Sequence, residues 1–214
     1  MTFKFDSVDD FDKHINLSIP NYDGLIEVVS SVALEYLTPD GGLLDVGCST
    51  GSLASKINGR SESNVSGCDI VDFREHNDFN FILDSAANAI NSQADLDVIT
   101  SIFTLQFMGR RERKRTIDGI KAHVEKGCIA IIAEKIHLDN PRLNTALYRT
   151  HQRCKLEGFT AKDILEKDLS LAGAMFPLSI NEIEKELSEI GTAHSIWQSY
   201  NFRCWAIIGE VNNG

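Results

Sequence analysis

Apolar and polar positions along this chain follow two periodicities that alternate. From Tyr22, the residues Leu25, Val28, Val29, Val32 and Tyr36 recur at three- and four-residue spacing, until Thr38-Pro39-Asp40-Gly41 interrupts them. That spacing predicts a helix with a defined stop. Residues 1–20 before it are polar and weakly patterned, ending at Pro20-Asn21. Residues 43–46 form a short apolar run of strand type, and 52–57 read as helical again. Further strands are expected at 65–68, 79–83, 98–103 and 128–133. The last two are nearly continuous in apolar, β-branched residues, as strands covered on both faces should be. Short helical patterns fall at 86–90 and around Ile117, Ile120 and Val124. Asn140-Pro141 opens another helix, in which Leu143, Leu147, Thr150 and Cys154 share one face. Thr160-x-x-Asp163 and Ser179-x-x-Glu182 are capping-box patterns that start two more, the second carrying Ile183, Leu187 and Ile190. Residues 194–198 and 202–208 close the chain as strands about Tyr200-Asn201.

Strands that alternate with helices build a parallel sheet covered on both faces. The last two strands have too few residues between them for a crossover helix and must pair antiparallel. The expected fold is therefore α/β: a Rossmann-like, doubly wound, mostly parallel seven-stranded sheet ending in an antiparallel hairpin, as in class I methyltransferases. Its length of 214 residues suits one domain over 1–214. The helices at 137–175 exceed that minimal fold and read as a cap over the site.

Composition narrows the function classes. No apolar run approaches ~18 residues, so no membrane span is expected. The N-terminus lacks a signal-peptide pattern. The five cysteines are scattered without CxxC spacing, which suits reduced thiols in the cytoplasm and offers no metal site. A formal net charge of −10 argues against wholesale nucleic-acid coating. Against that background stands the basic run Arg110, Arg111, Arg113, Lys114 and Arg115, with Arg142, Arg149 and Arg153 sharing a face further on. A polyanion such as RNA is one reading of these cations. A solvated face paired with some of the 31 acids is the other, and the favoured one.

The candidate chemistry centres on Gly42-Leu43-Leu44-Asp45-Val46-Gly47-Cys48-Ser49-Thr50-Gly51-Ser52. Gly47 and Gly51 sit where the backbone bends sharply and admits a ligand, and the helix that follows offers unpaired N–H groups. Asp45 distinguishes the turn from a phosphate loop, which carries Lys-Ser/Thr after its last glycine. An acid beside backbone donors suits a ligand with both an ammonium and a carboxylate, as in S-adenosylmethionine. Ligands of open α/β sheets lie outside the carboxyl ends of the strands. Asp69 and Asp84 end the next two strands, where one acid can take ribose hydroxyls and the other an adenine amino group. A dinucleotide fits poorly, because Ser49 replaces the second fingerprint glycine and Asp45 would face the pyrophosphate.

These residues bring out a resemblance to the carboxy-S-adenosylmethionine synthase family of the tRNA wobble-uridine pathway, itself related to class I methyltransferases. It is carried by Ser18-Ile19-Pro20-Asn21-Tyr22, Asp45-Val46-Gly47-Cys48-Ser49-Thr50-Gly51, Phe103-Thr104-Leu105-Gln106-Phe107 and Glu134-Lys135, with Ser179, His194-Ser195 and Asn201-Phe202 near the end. The resemblance implies a cytosolic homo-oligomer, a dimer, that binds the S-adenosylmethionine skeleton. It implies cofactor contacts from Tyr22, Gly47, Cys48, Ser49, Asp69 and Asp84. Asp45 and Gly51 of the turn and the neighbours Ile70, Ser85 and Ile102 complete the candidate set, Ile102 standing where the family has Asn. The family holds the extra carboxylate of carboxy-S-adenosylmethionine with an arginine, and that position falls on Asp168 here. An acid repels a second carboxylate, and no arginine lies between Arg153 and Arg203. Lys167 is the available substitute, without the arginine fork.

The leading expectation is an S-adenosylmethionine-dependent methyltransferase with a small-molecule or RNA acceptor. The alternatives are a carboxy-S-adenosylmethionine synthase that uses prephenate, and a catalytically silent binding module. Ser101-Ile102-Phe103-Thr104 lacks the Asn/Asp-Pro-Pro-aromatic run of amino-directed base methyltransferases, and no cysteine is placed for attack on cytosine. The histidines do not cluster, and no acid–base dyad is evident. Tyr22, Tyr148 and Trp197 are aromatic candidates for the acceptor site, set against a core role.

Overall fold

The computed structural model describes residues 11–209 apart from Asn77. Residues 1–10 lie outside the described residues. The described strands are β1 (Gly42–Val46), β2 (Asn64–Asp69), β3 (Asn80–Leu83), β4 (Val98–Ile102), β5 (Ile129–His137), β6 (Leu178–Ser179), β7 (Thr192–Ser199) and β8 (Phe202–Ile208). They lie in the order β3-β2-β1-β4-β5-β8-β7, with the two-residue β6 pairing the far end of β5. The first five are parallel, and β8 runs antiparallel to both β5 and β7. The order reverses between β1 and β4, so the chain leaves that point in both directions and opens a crevice above β1.

Successive residues of the central strands feed opposite layers. Leu43, Val98, Ile129 and Ile131 pack with Leu25 and Val29 of α2 (Tyr22–Tyr36) and Leu53 and Ile57 of α3 (Ser52–Asn58). Leu44, Ile99 and Ile132 pack with Ile90 of α4 (Ala86–Ser92), Ile117 and Ile120 of α5 (Arg110–Val124) and Leu187 of α8 (Ile180–Ser188). Both capping boxes form, at the start of α7 (Ala161–Leu171) and of α8.

Four regions differ from the sequence reading. A short helix, α1 (Phe11–Ser18), lies in the stretch read as weakly patterned. It turns two polar residues, His14 and Ser18, towards the interior cavity described below, which hides its period. β5 runs to His137, because β6 and β8 pair with its overhang.

In α6 (Pro141–Lys155) the face named for Leu143, Leu147, Thr150 and Cys154 is not the packed one. Leu143 and Thr150 are exposed, and the buried residues are His151 and Lys155. A helix that turns polar groups to a cavity inverts the usual apolar-inward rule. Finally, Arg113 does not belong to the surface run. Its phase places it with the inward stripe of Thr116, Ile117, Ile120 and Val124. It forks onto Glu186 of α8 and holds the fully buried Glu134 of β5 at 3.0 Å. Lys114 and Arg115 pair with Asp118 and Glu112, as a solvated face would.

Candidate cofactor and acceptor cavity

The turn after β1 is shaped by neighbours on both sides. Gly47 (φ 69°) and Gly51 (φ 79°) take left-handed conformations, and Ser49 (φ 51°) does so without being glycine. A Cβ on Gly47 would meet Thr104 Cγ2 at 2.2 Å, so glycine is required there twice over. The N–H groups of Gly47 and Cys48 both donate to the Cys68 carbonyl at the end of β2, at 2.7 and 3.0 Å. The Ser49 N–H donates to Asp69 Oδ2 (3.1 Å), and the Val71 N–H donates to Asp69 Oδ1 (3.0 Å). The Asp69 carboxylate keeps lone-pair capacity for further donors, as ribose hydroxyls need. Burial raises the Asp69 pKa against the pull of the Val71, Ser49 and Ile70 N–H groups.

Asp84 ends β3, where its Oδ1 accepts from the Ser85 N–H (2.6 Å) and Asn88 Nδ2 (2.9 Å). Those bonds lower its pKa, Asn88 foremost. Ser85 caps α4. Asp45 lies beneath the turn, buried, and accepts from the Thr100 hydroxyl at 2.6 Å. Burial pushes its carboxyl up to about 6, with Thr100 opposing and the charge of Asp69 adding.

These strand ends open onto a cavity of about 440 Å³, within the range of cofactor sites. Of the candidate cofactor residues, Gly47, Ser49, Asp69, Ile70, Asp84, Ser85 and Ile102 line it. Asp45, Cys48 and Gly51 support the turn from behind, and Tyr22 packs against Phe103, ring centroids 6.5 Å apart, without lining the cavity. Burial raises the Cys48 pKa strongly, so its thiol stays protonated and unreactive. Ile70, 77% exposed, is an apolar side chain held open beside Asp69. The Ser49 hydroxyl is buried without a hydrogen-bond partner, although Ser49 lines the cavity. An orphaned hydroxyl beside the glycine turn suits a polar ligand group, and the residues present fit S-adenosylmethionine.

The opposite wall comes from the cap. Lys135 of β5, His151 and Lys155 of α6, Lys167 of α7, and His14 and Ser18 of α1 all face the same cavity. His14 Nε2 touches Lys167 Nζ, and His151 Nε2 bonds the Ser18 carbonyl at 2.8 Å, which fastens α1 to the cap. Burial lowers both histidines to about 4; Lys167 and Lys155 add to the effect at His14, and Lys155 and Lys135 add to it at His151. At neutral pH this wall therefore presents three ammonium groups and two neutral imidazoles. Burial also lowers all three lysines, Lys167 to about 8, and the proximity of Lys155 depresses Lys135 and Lys167 further.

Asp168 does not stand in the cavity. Its Oδ2 accepts from Tyr148 Oη (2.7 Å) and Gln152 Nε2 (2.8 Å), and its Oδ1 lies 4.0 Å from Lys155 Nζ. Two neutral donors thus hold Asp168 outside the cavity lining, while its charge still favours the protonated forms of Lys135, Lys155 and Lys167 on the cap wall. Tyr148 is engaged outside the cavity by Asp168, and Trp197 is buried in the α2–α3 layer, so neither aromatic lines the acceptor side. Sequence reasoning missed His14, Lys135, His151 and Lys155. The available signal was the i, i+4 pair His151/Lys155, a polar stripe beside the face expected to point inward.

Between the walls runs the turn after β4. Phe103 (φ 57°) takes a left-handed conformation rare for an aromatic residue and donates its N–H to the Ala133 carbonyl at 2.8 Å. Its ring meets that of Phe202 edge-on at 5.4 Å. A 3-10 turn follows at Leu105–Phe107, with Gln106 and Phe107 lining the cavity.

No protein-family profile matches the chain. It is 28% identical over 211 residues to the carboxy-S-adenosyl-L-methionine synthase of Photobacterium profundum, covering 90% of this chain and 85% of that one. The protein of the same name in Staphylococcus epidermidis is 24% identical over 200 residues, covering 89% and 88%. Among solved structures, magnesium protoporphyrin IX methyltransferase from Synechocystis with bound SAH superposes with a TM-score of 0.58 at 15% identity, over 88% of this chain and 84% of that one. The N-methyltransferase NodS from Bradyrhizobium japonicum, in complex with S-adenosyl-l-homocysteine, gives 0.57 at 11% identity, over 94% and 93%. The fold is that of these methyltransferases.

Proposed function

We propose that this protein is an S-adenosylmethionine-dependent transferase whose second substrate is a small anion. One observation carries the reading. A single cavity joins the glycine turn and the acids Asp69 and Asp84 on one side to Lys135, Lys155 and Lys167 on the other. Asp69 would receive the ribose hydroxyls, Asp84 the adenine amino group, and Ser49 the amino-acid end of the cofactor. Bound there, S-adenosylmethionine supplies an activated methyl carbon on a sulfonium. The lysine wall would hold an anionic acceptor against it. Transfer to a good nucleophile depends chiefly on such alignment, which accounts for a site without an evident acid–base dyad.

A second reading, a carboxy-S-adenosylmethionine synthase using prephenate in the tRNA wobble-uridine pathway, is favoured by the same three lysines. They offer a carboxylate the positive field that the absent arginine would otherwise provide, and the curated relatives carry that name. The two readings part in one experiment: extract the nucleoside from purified protein and weigh it. S-Adenosylmethionine or its homocysteine product supports methyl transfer, and a carboxylated cofactor supports the second reading. No nucleoside, together with no heat on titrating S-adenosylmethionine, sinks both.

Two finer points belong to the same proposal. The five cysteines are all unbridged, which supports the cytoplasm as the site of action; among the described residues no helix is long and apolar enough to cross a membrane. The cap exposes Leu143 and Leu156 on and just after α6, and Leu165 and Leu169 one turn apart on α7, apolar surface that supports a homodimer. Light scattering of the purified protein reads the oligomer directly. Of the basic run only Arg113 is buried; Arg110, Arg111, Lys114 and Arg115 remain exposed, the last two paired with Asp118 and Glu112, leaving less unpaired charge for an RNA acceptor than five cations suggested.

A further inference from the structure

Gln106 is 4% exposed, and all but one of its own polar groups have a partner. Its N–H donates to Glu134 Oε1 (3.2 Å), and its carbonyl accepts from the Phe176 N–H (2.7 Å). Its side-chain Oε1 accepts from the Lys135 N–H at 2.8 Å, and that bond fixes which end of the amide is oxygen. The Nε2 end has no acceptor among the described residues, yet it is not sealed among the buried, unpartnered atoms. Gln106 lines the cavity, so the space left to Nε2 is the cavity itself. A donor that opens to a cavity while the rest of its residue is held by the protein is free to donate to whatever occupies that space, water or ligand.

The residues around Gln106 keep it from turning away. Glu134 is itself fixed by Arg113, which is forked onto Glu186, so β5, α5 and α8 all brace the backbone that carries the amide. The same Lys135 whose N–H orients the amide sends its ammonium to the cavity. Donor and cation therefore come from one braced unit on the acceptor side of β4, away from Asp69 and Asp84.

We propose that Gln106 is a specificity-determining residue for the second substrate: its Nε2 donates to an oxygen of an acidic group, carboxylate or phosphate, that the neighbouring lysines attract. This rests on the transferase reading above and goes beyond it, because it selects for an acidic group with an acceptor oxygen at a particular place over a diffuse negative charge. Glutamate at this position would present an acceptor to an acceptor and should exclude the ligand.

The test uses the full chain, with malonate and inorganic phosphate as probes for the two kinds of acidic group, titrated with and without S-adenosylmethionine. On the proposal, one or both probes bind, and the bound probe shifts the Gln106 side-chain amide resonances in the nitrogen-15 spectrum of the wild-type protein. Gln106→Leu weakens the bound probe by roughly ten- to a hundredfold, the value of a hydrogen bond to a charged group. Gln106→Glu abolishes the binding, and in both variants the affinity for S-adenosylmethionine stays within about threefold. The proposal is overturned if neither probe binds, if the amide resonances stay still at saturation, or if Gln106→Leu binds the probe as the wild type does. The resonance measurement needs no variant and stands even if both substitutions unfold the protein. A wild-type protein that binds no S-adenosylmethionine while the probe still shifts the Gln106 amide resonances would overturn the cofactor assignment and leave the anion contact standing.

Discussion

The two walls of the cavity are built on different principles. The strand-end wall draws its polar groups from residues 45–85, and each acid is tied by backbone N–H groups or a hydroxyl before any ligand arrives. The cap wall takes its groups from α1, β5, α6 and α7, and it brings three lysines together against one half-buried acid, Asp168. The first wall is a receptor with its bonds already set. The second holds like charges in a desolvated space and gains most when an anion enters. The difference suggests separate tasks: fixed geometry for a nucleoside, electrostatic capture for its partner.

The largest expected effect tests that separation directly. Asp69→Ala should weaken S-adenosylmethionine by about a hundredfold or more in calorimetry, since two charge-assisted bonds are lost. Malonate affinity should hardly change; parallel losses in both would show the walls to be one unit. Next, Lys167→Met should cost roughly tenfold or more in malonate affinity. The same variant should melt a few degrees higher than wild type without ligand, by about the shift that relieving one buried charge produces. A lower melting point would mean that the lysines are structural.

Titration gives a third measure. Lys167 is charged only below its lowered pKa of about 8, so malonate affinity should fall as pH rises through that value, well before an ordinary lysine titrates. S-Adenosylmethionine affinity should stay level over the same range, because the acids that face it are ionised throughout. The smallest effect concerns Asp45, whose folded pKa of about 6 lies above its ordinary 3.8. An acid so raised loses stability as pH climbs from 3.8 to 6. Asp45→Asn should therefore be more stable than wild type at neutral pH, by about 1–3 kcal/mol on the scale of one pKa unit per ~1.4 kcal/mol. Its affinity for S-adenosylmethionine should drop far less than that of Asp69→Ala, as suits a residue beneath the turn.

Much of the first wall is legible in the sequence because its causes are local. Gly47, Asp69 and Asp84 follow directly on apolar runs, and a strand end with a turn residue or an acid is a short-range pattern. The parallel pairing of the first strands follows from their alternation with helices. The cap wall is not legible, for two reasons. Lys135, Lys155 and Lys167 meet only through tertiary packing, and nothing in their spacing says so. The polar stripe of α6 also imitates a solvent face, since periodicity cannot tell water from a polar cavity. Arg113 shows the converse error: its basic neighbours suggest a surface, although its phase with Thr116, Ile117 and Ile120 marks it as inward. At Asp168, sequence position alone suggests an acid in the site, and the bonds to Tyr148 and Gln152 hold it outside the cavity lining.

α7 contributes Lys167 to the cavity, yet it has no buried residue, and its N-terminus is held by a capping box. Segments with so little buried surface open locally at a small fraction of the global unfolding free energy. In hydrogen-exchange terms the amides of α7 should exchange faster than those of the central strands. A molecule that engages Lys167 must first hold that helix down, so part of its binding energy is spent on order. The fragile helix would then act as a gauge of occupancy, its amides slowing when the cavity fills while those of β1 and β4 remain as they were.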